Sequence, residues 1–329
     1  MTQSVKTPNE GALQNAKRLS MREIFIEYGA AIALGALVLI NIIFTKNFLS
    51  VDTLFLIIRQ STPILFVTIG MTIVISAAGT DISAGSMMAF SGLIVAMGLK
   101  SGGNFIVYCI IALAACAMIG LFNGLLIAKT GVQPIIHTLV MQIVIRGVTV
   151  MLAKSSVFVL NSYPEIKWLG LHRFNGNIPV QTIFFAFVAI LGIFIINKTT
   201  LGKYVEAIGG SEKAARLAGV RTVGVTIAVY VLSAVFAGGA GILEMARNGA
   251  LDPNELGKLY ELDAIAGVAI GGTSMKGGKA RVLGSILGCI IMIMIGTTVN
   301  MNGIPFAASN IIKALVIIIS LAIQRDKAV

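Results

Sequence analysis

The sequence predicts an all-α polytopic membrane protein of about ten transmembrane helices, one or more of them short or broken, with both termini in the cytoplasm. Three observations predict it. Of 329 residues, 57% are hydrophobic and 12% charged, with a mean hydropathy of +0.92; a soluble domain carries about 25% charged residues. The apolar residues fall into successive runs close to the ~20 residues that a spanning helix needs. Basic residues gather at run ends, where they act as orientation signals.

The runs follow in order. Gly29–Phe44 is the first, and no apolar stretch precedes it, so no cleavable leader is expected. The second is Thr53–Ala78, with Arg59 and Pro63 inside it, and the third is Ile82–Leu99. Phe105–Ala128 is charge-free, and Val132–Ala153 carries Pro134, His137 and Arg146. A polar segment, 154–178, leads to the sixth run, Val180–Asn197. The charged stretch LGKYVEAIGGSEKAARLAGV (201–220) comes next, followed by Thr222–Leu243 and a second polar segment, 247–263. Ala264–Met275 is too short to cross as a straight helix; either the residues before it complete it, or it forms a broken helix that dips in. Val282–Val299 and Pro305–Ile323 complete the set.

Four basic clusters orient these runs: Lys6, Lys17, Arg18 and Arg22; Lys198, Lys203, Lys213, Arg216 and Arg221; Lys276, Lys279 and Arg281; Arg325 and Lys327. Ten crossings put all four on the cytoplasmic side, whereas nine do not. Segments 154–178 and 247–263 then face out. The division is a tail over 1–28 and one transmembrane domain over 29–324. The net charge of +11 therefore belongs to membrane orientation, with no nucleic-acid partner expected. Cys109, Cys116 and Cys289 sit in apolar runs without paired spacing and read as small buried hydrophobes.

Stretch 201–220 lies inside the cell in this topology. Glu206, Ala207, Ala214, Ala215, Arg216 and Leu217 favour helix, Gly209-Gly210 interrupts it, Ser211 can cap a second short helix over 211–218, and Gly219 can close that helix. So short a helix is marginal in water and needs a surface to rest on. That surface is either the lipid headgroups or a cytosolic partner that Glu212, Lys213 and Arg216 would hold in register.

Three stretches resemble the membrane permease subunits of bacterial ATP-binding-cassette sugar importers of the ribose, xylose and galactose type. Gly202, Glu206-Ala207, Gly209, Ala214-Ala215 and Gly219 resemble their coupling segment, and Glu212 and Arg216 join them as expected ATPase-coupling residues. GMTIVISAAGTDISAGSMMAFSG (70–92) and ELDAIAGVAIGGTSMKGG (261–278) resemble two further signatures, with Thr80 and Ala84 departing from the usual residues. The resemblance implies a non-catalytic subunit in the bacterial inner membrane, paired with an identical or different second permease subunit. Cytosolic subunits would hold ATP and magnesium, and an extracytoplasmic binding protein would deliver the sugar. No phosphate-binding GxxxxGK[ST] loop, metal-spaced cluster or nucleophile elbow appears in the chain, so no cofactor or metal is expected on it.

Candidate path residues are the polar groups within the runs: Asp81, Asn123, Gln142, Arg146, Tyr230, Ser233, Asn300 and Asn310. Each can meet a sugar hydroxyl or glue helices together. Asp81 reads first as a cap for the helix after it, and Glu244 with Arg247 as a structural pair. Gly271, Gly272, Gly277 and Gly278 flank a turn that could bend as a gate or hinge. Asp252, Glu255, Glu261 and Asp263 are expected on the outward segment, facing the binding protein. The rivals are an ion-coupled secondary transporter and a permease for branched amino acids or nucleosides. The first needs a charged midplane site, and within the runs Arg146 and Lys313 have no carboxylate beside them.

Overall fold

The computed structural model describes residues 21–174 and 176–325. Residues 1–20 of the expected tail, with Lys6, Lys17 and Arg18, lie outside the described residues, as does Lys327. The first half comprises helices α1 (Met21–Phe44), α2 (Val51–Ser76), α3 (Ala84–Lys100), α4 (Phe105–Thr130) and α5 (Pro134–Leu152), then β1 (Phe158–Val159), α6 (Pro164–Leu171), β2 (Arg173–Phe174) and β3 (Ile178–Pro179). The second half comprises α7 (Gln181–Lys198), α8 (Thr200–Gly210), α9 (Glu212–Leu217), α10 (Thr222–Asn248), β4 (Ala250–Leu251), α11 (Tyr260–Ile270), α12 (Val282–Met301) and α13 (Phe306–Arg325).

The chain is a polytopic helical membrane protein. Among the described residues, six helices are long and apolar enough to cross a membrane: α2, α4, α5, α7, α10 and α12. Three shorter apolar stretches, Tyr28–Phe44, Ala84–Lys100 and Ala307–Ile318, accompany them. Caps and turn residues set the ends. Ser50 Oγ accepts the Thr53 N–H at 3.1 Å to open α2, and Asn104 Oδ1 accepts the Ile106 N–H at 2.9 Å to open α4. Gly131 (φ 69°) and Gly249 (φ 62°) close α4 and α10 in the left-handed region, where glycine carries no penalty.

Helices α2 and α10 form the centre. The hydroxyls of Thr62, Thr68 and Thr72 on α2 donate to carbonyls four residues back, so they sit in the core without an unmet bond. On α10, small residues let neighbouring backbones close in. A side chain at Gly241 would begin 2.1 Å from the Met88 carbonyl oxygen of α3, and one at Gly120 of α4 would begin 2.6 Å from that of Tyr230. Helices α4, α5 and α7 turn most of their surface outward, as lipid-facing helices do.

One expectation is corrected. The fold is not purely α: β1 pairs antiparallel with β4 (Phe158↔Leu251, Val159↔Ala250) and β2 with β3 (Arg173↔Pro179, Phe174↔Ile178). Pairing satisfies the backbone groups of these two-residue strands. The β1–β4 ladder also joins the two polar segments that the charge pattern assigns to one side. The short helix runs over Tyr260–Ile270, so residues before Ala264 do extend the apolar run, and it ends five residues before Met275. Glu261 and Asp263 enter it because neighbouring helices supply their partners, and the chain leaves helical geometry at Gly272 (φ 79°).

Candidate functional site

Between α2 and α3 the chain runs without regular helix from Ala77 to Ser83; Ala78 is exposed, whereas Asp81 and Ser83 are buried. Where such irregular backbone is covered, protein groups have to satisfy it. Gly79 N–H donates to the Val74 carbonyl at 3.0 Å and Ile82 N–H to Thr138 Oγ1 at 3.1 Å. The Thr80 carbonyl accepts from Thr138 at 3.3 Å and from the Tyr230 hydroxyl at 3.4 Å.

Asp81 is the hub of this link. Its Oδ1 accepts the Ser83 N–H at 3.1 Å and the Ser83 hydroxyl at 2.6 Å, and its Oδ2 accepts the Ser233 hydroxyl at 2.8 Å. The expected capping role takes a modified form: Ser83 is the residue at the start of α3, and Asp81 holds that residue. Asn123 reaches Ser83 at 3.4 Å and His137 at 3.1 Å. Four sequence candidates, Asp81, Asn123, Tyr230 and Ser233, therefore meet in one network, all withdrawn from the protein surface.

Gln142 and Arg146 form a second group on α5. The Arg146 guanidinium donates to the carbonyls of Pro253 (3.0 Å), Leu256 (2.8 Å) and Gly85 (3.1 Å), pinning the link before α11 against α3. Gln142 Nε2 donates to Glu261 Oε1 at 3.1 Å. Lys313 of α13 pairs with Asp263 of α11 at 2.7 Å, with both side chains largely covered (12% and 18% exposed). This corrects two expectations. A carboxylate does stand beside Lys313, and Glu261 and Asp263 face protein instead of an outside partner. Both follow from α11 beginning four residues before the apolar run does. Asn300 and Asn310 are exposed and separate from these groups. Glu244 and Arg247 pair as expected, with Arg247 Nε 2.8 Å from Glu244 Oε2.

The third group lies at the foot of the bundle. Ser211 Oγ accepts the Ala214 N–H at 3.3 Å to open α9, and Gly219 (φ 86°) follows its end. Helix α9 shows Leu217 (82% exposed) and an i,i+4 pair, Glu212–Arg216, at 2.9 Å, while Ala215 packs inward. Helix α8 packs on the protein through Gly202, Val205 and Ile208. A recess of about 510 Å³ opens between α9, the ends of α2 and α4 and the start of α10, with Gly79, Thr130, Glu212, Arg216, Thr226 and Tyr230 in its wall.

Gly271 and Gly284 touch backbone to backbone, as do Gly267 and Gly288. A side chain at Gly284 would begin 2.0 Å from the Gly271 carbonyl oxygen, and one at Gly288 the same distance from that of Gly267. Gly277 (φ 91°) and Gly278 (φ 97°) take a conformation that other residues rarely adopt. Among the described residues, no group of three or more His, Cys, Asp or Glu is arranged to hold a metal ion.

The family model described as "Branched-chain amino acid transport system / permease component" matches residues 53–321. The ribose import permease protein of Escherichia coli strain K12 is 34% identical over 317 residues, covering 95% of this chain and 98% of that protein. The galactofuranose transporter permease protein of the same strain is 33% identical, covering 82% of this chain and 79% of its own length. The fructose import permease protein of Bifidobacterium longum is 32% identical, with 90% and 86% covered. No solved structure matches the chain.

Proposed function

The chain belongs to the family of branched-chain amino acid transport system permease components, and from that premise we propose that it is the membrane permease of an ATP-binding-cassette importer whose cargo is a sugar. The observation that carries this reading is the likeness, nearly end to end in both chains, to a ribose import permease. The galactofuranose and fructose permeases support the same solute class over the amino acids of the family's description.

In this reading the chain crosses a bacterial inner membrane ten times, with α3 and α11 as short or broken crossings. Both termini and the 201–220 segment are cytoplasmic, and residues 29–324 form one transmembrane domain. A second permease subunit completes the pathway. Cytosolic ATPase subunits bind ATP and magnesium, and this chain catalyses nothing itself. The exposed face of α9, with Glu212, Arg216 and Leu217, seats in an ATPase groove. Asp252 and Glu255 on the opposite side meet a sugar-binding protein.

Passing a neutral sugar needs a wet, hydrogen-bonding route with little net charge. The Asp81–Ser83–Ser233–Asn123 network fixes the irregular link beside that route, and Gln142 and Arg146 fix α3 and α11 to α5. Asn300 and Asn310, being exposed, are free to meet solute or the second subunit. Gly271, Gly272, Gly277 and Gly278 shape the turn nearest the coupling segment.

One observation favours a second reading. The covered Asp263–Lys313 pair is the kind of charged site an ion-coupled carrier uses. Gentle solubilisation from native membranes, with and without residues 203–218, separates the two. Recovery of ATPase and sugar-binding subunits that depends on that stretch supports the importer. A chain that runs alone in several mild detergents and in lipid discs, yet takes up solute on an ion gradient, overturns it.

A further inference from the structure

The coupling segment contains two helices, and they face different ways. The exposed pair and Leu217 of α9 face away from the protein. Helix α8 faces the membrane domain, and Glu206 does so through a specific bond: its Oε1 accepts the N–H of Ala280 at 3.1 Å, across 74 residues of sequence. Ala280 is buried, so loss of this acceptor would leave its N–H without a partner.

One helical turn on, Gly209 rests against the last residue of α2. A side chain there would begin 1.8 Å from the Ser76 carbonyl oxygen and 2.4 Å from the Gly278 nitrogen. That same Ser76 carbonyl accepts the Gly278 N–H at 3.0 Å. Three backbones, from α2, α8 and the α11–α12 turn, therefore meet with no side chain between them.

The turn they meet is internally bonded. Its ends are tied by Arg281 N–H to Thr273 Oγ1 at 3.0 Å, and Gly277 N–H closes on the Ser274 carbonyl at 3.1 Å. Beyond it, α11 and α12 are in backbone contact at Gly271/Gly284 and Gly267/Gly288, and α11 is joined to α13 through Asp263 and Lys313. Hydrogen bonds, backbone contacts and one ion pair thus run in sequence from Ala280 to α13.

We propose that Glu206 is a positioning residue that clamps α8 to the α11–α12 turn, so that movement of the coupling segment drives the α11–α12 hairpin as well as α7 and α10, to which the segment is covalently joined. This rests on the importer reading and adds a transmission route to it. Glu206 then belongs to the membrane domain's interior mechanics, and docking of the ATPase belongs to α9.

The test uses the complete importer in proteoliposomes, reading ATP-driven sugar uptake and retention of the ATPase subunits. Glu206→Gln keeps an acceptor oxygen and retains uptake near that of the parent protein. Glu206→Ala lowers uptake about tenfold or more, with the ATPase subunits still bound. Uptake by Glu206→Ala within about twofold of the parent overturns the clamp, and so does loss of the ATPase subunits, which would make Glu206 a docking residue. A second arm does not depend on how well Glu206→Ala folds. In a background lacking Cys109, Cys116 and Cys289, Glu206→Cys and Ala280→Cys are joined by a short bifunctional thiol reagent. Uptake that survives the bridge fits two elements moving as one body, and uptake that the bridge abolishes means that they must separate and refutes the proposal. If the unaltered protein shows no ATP-driven uptake, the importer reading fails instead, so the two failures are distinguishable.

Discussion

Replacing Lys313 with Met removes a cation that the fold has covered together with its partner. The ammonium lies 2.7 Å from Asp263 Oδ2, with 12% and 18% of the two side chains exposed. Met keeps the length and apolar stem, so packing of α13 against α11 changes little. The carboxylate of Asp263 is then left covered and unpaired. Breaking a buried pair on one side costs about 3 to 5 kcal/mol, and a lone charge deep in a bilayer about 2.5 to 3.5 kcal/mol. Taking about 3 kcal/mol, the unfolding equilibrium shifts roughly 100-fold. Asp263→Asn alone strands the ammonium and costs a comparable amount. The double variant strands neither charge and recovers at least about 2 kcal/mol of the summed loss. The assay is a double-mutant cycle on purified protein in mixed micelles, unfolded by rising SDS content and followed by loss of helical circular dichroism. A coupling below about 0.5 kcal/mol, meaning additive single effects, refutes the view that these groups neutralise one another in the covered interior.

The other predictions share the same logic. Gly284→Ala sets a methyl group 2.0 Å from the Gly271 carbonyl oxygen and destabilises the protein in a thermal aggregation assay, whereas Gly296→Ala, which has no neighbour within 4 Å, leaves the midpoint unchanged. Ser233→Ala takes a donor from Asp81 and costs about 1 to 3 kcal/mol, measured in the same SDS titration; Ser233→Thr keeps the hydroxyl and costs less. Arg216→Ala breaks an exposed i,i+4 pair worth about 0.5 kcal/mol or less, so stability barely changes while recovery of ATPase subunits by affinity purification falls.

Much of the architecture is legible in the sequence because a bilayer imposes length and apolarity on every crossing. The ends of α3, α4 and α12 follow the apolar runs within a few residues, and Ser211 caps α9 as its hydroxyl and position suggest. The features that the sequence conceals have one cause: polar residues enter the interior when distant helices supply their partners. Glu261 and Asp263 look like part of a solvated loop until Gln142 and Lys313, more than forty residues away, are seen to hold them. The same holds for Glu206, whose neighbours in sequence suggest a docking surface and whose acceptor oxygen is taken by Ala280. Asp81, Asn123 and Ser233 are recognisable singly as polar groups in apolar runs; that they meet at one irregular link depends on how α3, α4 and α10 cross. The glycines carry a two-sided signal, since Gly271 serves backbone contact and Gly277 a positive φ, and composition does not distinguish the two.

The central claim is tested most directly by uptake of labelled pentoses and hexoses into proteoliposomes. These would hold the protein with its ATPase partner, ATP and magnesium in the lumen and the sugar-binding protein outside. The account predicts accumulation of a sugar that requires ATP and the binding protein and persists when proton and sodium gradients are collapsed. Accumulation without ATP that disappears with the gradient would contradict it.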